Sequence, residues 1–78
     1  MAHVQNEFSE LARKWPAPIV ARSEVGRFSG GLLNPRTLAN HDSAGTGPVG
    51  KISMGRKIAY TVDSLVEWMA QRARGQKK

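Results

Sequence analysis

The chain has 78 residues, and twelve Lys and Arg against six Asp and Glu give a formal charge of +6 and a pI near 10.6. So short a chain forms one domain with a modest core, and the absence of cysteine excludes a disulfide framework, a thiolate metal site and a catalytic thiol. With no apolar run of membrane-spanning length and no signal-peptide pattern, we expect a cytoplasmic protein without a membrane partner.

The positive charge is concentrated in the middle of the chain. Between Val25 and Val62 there are five basic residues and one acid, Asp42, so this segment carries +4. Such an excess favours a polyanionic partner, although charge alone leaves an ordinary basic protein equally open. The five basic residues are Arg27, Arg36, Lys51, Arg56 and Lys57.

Residues 1–18 are predicted to form an N-terminal helix and a linker. The helix is amphipathic and ends before Pro16, which disfavours helical geometry at Trp15. Its apolar stripe is interpreted as part of the core, with a surface for self-association or for a partner protein as the alternative. The stripe consists of Val4, Phe8, Leu11, Ala12 and Trp15.

Residues 19–45 are predicted to form a helix-turn-helix, whose first helix starts between Ala21 and Ser23. Val25 and Phe28 lie three apart and face inward. The glycines that follow Ser29 break this helix and turn the chain.

The second helix of this pair begins at Asn34-Pro35 and ends at Gly45, because Asn caps free amides, Pro suits the first helical position and Gly suits the end. Leu38 points inward. The opposite face is short and polar, so it is compatible with the bases of a major groove or with a solvated surface. The candidate DNA-reading residues on it are Arg36, Thr37, Asn40 and Ser43.

Residues 51–61 are predicted to form a β-hairpin in which Gly55 opens a type II′ turn. Arg56 and Lys57 then stand at its tip, where cations either reach a phosphate backbone or protect a sheet edge from pairing. Because apolar and polar residues alternate along both strands, we predict that one face of the hairpin is packed and the other is exposed to solvent. The apolar residues that alternate are Ile52 and Met54 in one strand, and Ile58 and Tyr60 in the other.

Residues 62–74 are predicted to form a closing helix capped by Thr61, and residues 75–78 a mobile basic tail. His41 lies alone near an inner helix face, which favours a packed or partly exposed histidine over a metal ligand or a general base. We find no nucleophile with a base, no paired carboxylates and no metal cluster. We therefore expect neither an enzyme nor a cofactor.

Several short segments, in this order, resemble one known family. They are S-E-V at 23–25, N-P-R-T-L at 34–38, Ala44-Gly45, M-G-R-K at 54–57 and Y-T-V-D-S-L-V-E-W-M at 60–69. The chain resembles the MerR-like winged helix-turn-helix family of phage excisionases (recombination directionality factors) and AlpA-type regulators. The similarity covers roughly residues 19–72, and the N-terminal helix lies outside it.

The resemblance implies an α+β, mainly helical fold: a winged helix-turn-helix, to which the N-terminal helix is an addition. It implies a recognition helix bearing Arg36, Thr37 and Asn40, and a wing bearing Arg56 and Lys57. We further expect Arg22, Arg27 and Lys51 to contact the DNA backbone.

In function, the resemblance implies sequence-specific binding of double-stranded DNA. An excisionase-like protein bends DNA, assists an integrase in excision and associates cooperatively with further copies on the DNA. A small transcriptional regulator of the same fold, or a protein-interaction module that uses the N-terminal helix, is the alternative.

Overall fold

The computed structural model describes residues 2–75, and the side chains of residues 8–73. It is an α+β fold of four helices and a three-stranded antiparallel sheet with strand order β1-β3-β2. In chain order the elements are α1 (Ala2–Lys14), β1 (Ile19–Ala21), a 3₁₀ turn (Arg22–Glu24), α2 (Val25–Phe28), α3 (Pro35–Ala44), β2 (Ile52–Met54), β3 (Lys57–Thr61) and α4 (Val62–Gly75).

The core lies between the helices and the inner face of the sheet. Its buried members come from β1, α2, α3, β3 and α4: Val20, Val25, Phe28, Leu38, Tyr60, Val62, Leu65, Trp68 and Met69. Four residues of the predicted N-terminal stripe pack against this cluster, which confirms the core interpretation for Phe8, Leu11, Ala12 and Trp15. The fifth, Val4, lies outside the described side chains.

The prediction that residues 19–45 contain only two helices and a turn was wrong at the start of the segment. Ile19–Ala21 is a strand that pairs with β3, Val20 opposite Tyr60. Helical structure starts at Arg22, within the predicted range, as a 3₁₀ turn that α2 continues from Val25. Pro18 keeps the chain extended here, and its carbonyl accepts a hydrogen bond of 2.9 Å from the Val62 amide. The β-branched Val20 therefore continues the sheet instead of opening a helix.

Residues 29–31 form the turn that ends α2 and leads towards α3. Gly30 has φ +66°, a conformation that a side chain disfavours. The buried Ser29 hydroxyl donates to the Val25 carbonyl at 2.7 Å and accepts from the Leu33 amide at 2.9 Å. This hydroxyl ties the end of α2 to the residues that lead into α3.

The predicted ends of α3 are confirmed. The Asn34 side chain accepts a hydrogen bond of 2.9 Å from the Thr37 amide, and Pro35 is the first helical residue. Gly45 follows the last helical residue, and the Thr46 amide donates back to the His41 carbonyl at 2.8 Å.

The β2–β3 hairpin has the predicted two-residue loop, since Met54 pairs with Lys57. Gly55 has φ +61°, and no other residue type has positive φ within residues 2–75, so the turn is type II′. The predicted packing of Ile52 and Met54 was wrong, because these side chains are 38% and 75% exposed.

Strand register explains this error. A two-residue loop places Ile52 opposite Ala59 and Met54 opposite Lys57, on the outer face of the sheet. Side chains alternate between the faces, so Ile58 and Tyr60 point the other way, into the core.

The closing helix α4 is confirmed, and the Thr61 hydroxyl caps it by accepting from the Ser64 amide at 3.1 Å. The predicted tail begins one residue too early, since Gly75 belongs to α4, and residues 76–78 lie outside the described part. No helix in the described part is long and apolar enough to cross a membrane.

Candidate nucleic-acid interface

The outer face of α3 carries the side chains that the sequence singled out. Arg36, Asn40 and Ser43 are exposed, and helical spacing places them opposite Leu38, which is 0% exposed. Thr37 is half-buried on the flank of this face, where it borders a groove that also includes Trp68. The structure therefore brings three of the four predicted residues to one exposed surface and sets the fourth beside it.

The C-terminal end of α3 is fixed by Trp68 of α4. The Trp68 indole donates a hydrogen bond of 2.8 Å to the Thr46 carbonyl. His41 Nδ1 lies 2.8 Å from the Thr46 hydroxyl, and its ring packs edge-on against Trp68 with 5.1 Å between the centroids. His41 is thus a packed histidine, as the sequence predicted.

The inner side of α3 is joined to the sheet by Asp42. Its Oδ2 atom accepts a hydrogen bond of 2.6 Å from Arg22 Nη2 and another of 2.7 Å from the Tyr60 hydroxyl. Arg22 Nε also donates to the Tyr60 oxygen at 3.0 Å. These three side chains, the Arg22–Asp42–Tyr60 cluster, connect the 3₁₀ turn, α3 and β3.

The cluster raises the pKa values of Tyr60 and Arg22. Burial raises the pKa of Tyr60 above its ordinary value, the hydrogen bond to Asp42 raises it further, and the bond from Arg22 partly opposes both. The hydrogen bond to Tyr60 raises the pKa of Arg22, against the effect of desolvation. Arg22 is therefore a permanent cation, and Tyr60 stays a neutral phenol that can donate to Asp42.

The hairpin tip lies next to the start of α3. Arg56 and Lys57 line a recess of about 210 Å³ together with Pro35, the first residue of α3, and with Arg22. Arg36 directly follows Pro35. The recess therefore places the two cations of the tip beside the N-terminal end of the polar helix face.

The remaining predicted cations lie elsewhere. Arg27 Nε is 3.4 Å from a Glu24 carboxylate oxygen, and its guanidinium lies 5.6 Å from the centre of the Trp15 ring. Lys51 is exposed but precedes β2, and the three residues of that strand separate it from the hairpin turn by about 10 Å.

Ion pairing separates these cations into two groups. Among the described side chains, those that make no ion pair include Arg36, Lys51, Arg56 and Lys57. Arg22 belongs to the other group, since its guanidinium is bonded to Asp42 and Tyr60. The exposed cations near α3 are therefore mainly those of the helix face and of the hairpin tip.

The Arg22–Asp42–Tyr60 cluster was not predicted as a unit. One signal for it is present in the sequence, since Asp42 is the sole acid of a basic segment and lies beside the inward-facing Leu38. A buried carboxylate requires a partner. The sequence does not identify that partner, because Arg22 is twenty residues away and becomes a neighbour only through the strand pairing of β1.

Comparison of the chain with family models, with curated proteins and with solved structures found no match.

Titration of Tyr60 tests the cluster directly, because it is the sole tyrosine of the chain. As pH is raised, tyrosinate absorbance of the folded protein should appear with a midpoint pH above the ordinary tyrosine pKa of about 10. In denaturant, the midpoint pH should return to about 10. Because the folded pKa is the higher one, the stability that neutral Tyr60 contributes is complete below about pH 10 and is lost as pH rises through the folded pKa.

Asp42→Asn serves as the control for this titration and should lower the folded midpoint, since the carboxylate helps to raise the pKa of Tyr60. Equal midpoints in folded and denatured protein would contradict the burial and bonding of the phenol.

Proposed function

We propose that this chain is a winged helix-turn-helix protein that binds double-stranded DNA sequence-specifically and carries out no catalysis. The observation that carries this proposal is the position of the hairpin cations. Arg56 and Lys57 border the same recess as the first residue of α3, whose exposed face presents Arg36, Asn40 and Ser43. A polar helix face and a cationic hairpin thus meet on one side of a chain of charge +6.

In the proposed complex, α3 lies in the major groove. A helix with its side chains is about 10–12 Å across, which matches a groove about 12 Å wide. Arg36 can pair bidentately with guanine and Asn40 with adenine, while Ser43 can bond to a base or a phosphate. Both ends of α3 are capped within the protein, by Asn34 and by the bond from Thr46 to His41.

The hairpin is proposed to act as the wing and to follow the adjacent minor groove. Arg56 and Lys57 lie at or next to a two-residue turn, and neither makes an ion pair among the described side chains. Cations in this position bind phosphates irrespective of base sequence. The wing therefore supplies affinity, and α3 supplies sequence preference.

The resemblance to excisionases leads us to propose an architectural role, in which the protein bends DNA and assists an integrase. The chain measures 38 × 29 × 20 Å, so one copy covers about one helical turn of roughly 34 Å. A large bend then requires several copies side by side. A small transcriptional regulator that binds a single operator is the alternative within the same fold.

The protein-interaction alternative has no specific support in the fold. Phe8, Leu11 and Ala12, the apolar residues of α1 whose side chains the structure describes, are packed against the core. The exposed side of α1 carries Arg13 and Glu10, which pair with each other at 3.1 Å.

Affinity for duplex DNA should fall steeply as salt is raised. Arg56→Ala and Lys57→Ala should each weaken binding to every sequence and reduce the slope of log affinity against log salt by about 1, because each loses one phosphate contact. Fluorescence anisotropy with labelled duplexes over a salt series measures both effects.

Arg13→Ala is the matched control for these variants, since it removes the same charge from a side chain that is 73% exposed on α1. It should leave the salt slope unchanged. Binding that is independent of salt, or no binding at low salt, would remove the basis for a DNA-binding function.

Sequence preference should depend on α3. Arg36→Ala and Asn40→Ala are each expected to lose about 1–3 kcal/mol of discrimination between a sequence selected from a random pool and an unrelated duplex, because each removes a bidentate base contact. Competition binding at constant salt measures this loss.

Gln71→Ala, which truncates an exposed amide on α4, should keep full discrimination. If the hairpin variants changed the preferred sequence while the helix variants did not, the roles of the two elements would have to be exchanged.

DNA bending separates the architectural role from the regulatory one. With the selected sequence placed at adjacent sites, an excisionase-like protein should bring the DNA ends together, which raises energy transfer between dyes at the two ends. Stoichiometric binding without any change in transfer would favour a regulator that binds an operator.

A further inference from the structure

Arg22 is a cation beside the proposed interface, and two of its three guanidinium nitrogens donate to partners inside the protein. Its Nη2 atom donates to Asp42 at 2.6 Å, and its Nε atom donates to Tyr60 at 3.0 Å. The Arg22 side chain is 24% exposed, and that of Asp42 is 7% exposed. The pair is therefore shielded from water, and screening by salt weakens it much less than it weakens a surface pair.

Asp42 is the point at which this interaction reaches α3. It is the sole acid between Val25 and Val62, and it lies one helical turn beyond Leu38, the one side chain of α3 that is fully buried. Without Arg22, the carboxylate would remain buried with a single hydrogen bond, from Tyr60. A buried charge in that state tends to move towards water, which requires α3 to rotate or to shift.

Tyr60 connects the same carboxylate to the hairpin. It belongs to β3, the strand that starts at Lys57 next to the hairpin turn, and it is 0% exposed. Its hydroxyl both accepts from Arg22 and donates to Asp42. One set of hydrogen bonds therefore spans from the reading helix to the strand that carries the tip.

We infer that Arg22 is a positioning residue, which acts through Asp42 and Tyr60 to set the outer face of α3 against the hairpin tip and makes no contact with phosphate. This inference deepens the proposed function. Its consequence for DNA binding rests on that function, whereas the positioning of α3 is a property of the free protein. It replaces the expectation from the sequence that Arg22 contacts the DNA backbone.

The free protein provides the first test. The chain has no cysteine, so Ser43→Cys and Arg56→Cys introduce two unique sites for spin labels, one on α3 and one at the hairpin turn. Pulsed electron paramagnetic resonance then measures the distance distribution between them. Arg22→Met and Tyr60→Phe should broaden or shift this distribution, whereas the control Arg13→Met should leave it unchanged.

Tyr60→Phe keeps the ring and the charge and removes only the hydroxyl, so it tests the cluster even if Arg22→Met does not fold, which circular dichroism will show. A distribution that is the same in the parent, Arg22→Met and Tyr60→Phe proteins would overturn the inference. This test remains decisive if the protein proves not to bind DNA, an outcome that refutes the proposed function alone.

DNA binding provides the second test. For Arg22→Met, the ratio of the affinities for selected and unrelated duplexes should fall at least about fivefold, which is the effect of misplacing one bidentate base contact. The slope of log affinity against log salt should stay the same. The double variant Arg22→Met/Asp42→Asn should recover part of the ratio, because no unpaired charge is left.

A direct phosphate contact by Arg22 gives the opposite pattern. The salt slope would fall by about 1, the affinity ratio would not change, and Asp42→Asn would restore nothing. That result would overturn the positioning role.

Discussion

The Asp42 carboxylate is the constraint on which the arrangement of α3 depends. A nearly buried negative charge is tolerated only when it is paired and hydrogen-bonded, and Asp42 satisfies this condition with two donors from two other elements. Arg22 reaches it because β1 pairs with β3 and ends directly before the 3₁₀ turn. A single oxygen atom of Asp42 thus links α3 both to the 3₁₀ turn and to β3.

The cations of this chain serve different purposes, and net charge does not distinguish them. Arg22 neutralises a nearly buried acid, while Arg13 and Arg27 each pair with an acid three residues earlier in the chain. Arg36, Arg56 and Lys57 make no ion pair among the described side chains. A charge of +6 therefore indicates a polyanionic partner only in general terms, and the pairing pattern locates the surface that such a partner would meet.

The helix ends and most of the core could be predicted from the sequence, because they depend on residues that are close together in the chain. The cap at Asn34, the stop at Gly45 and the inward position of Leu38 each depend on residues within one or two turns. The strand β1 escaped prediction because three residues give too short an alternation. Ile52 and Met54 were assigned to the wrong face because alternation within one strand was read without the register that the two-residue loop imposes. The role of Arg22 depends on a contact across twenty residues, for which a single sequence contains no signal.

The polar cluster also follows from the small size of the domain. Among the hydrophobic side chains of α3, Leu38 is the buried one, and its contact holds the helix near the core without fixing its rotation, because hydrophobic attraction is not directional. Two further attachments are directional: Asp42 bonds to Arg22 and Tyr60, and Thr46, just beyond the helix, bonds to Trp68. Each hydrogen bond has a preferred direction, so these two attachments oppose rotation of α3 about its own axis. Directional hydrogen bonds thus fix the orientation of α3, which a larger core would fix by packing. The exposed face of α3 can therefore be held in one orientation although most of the helix lies on the surface.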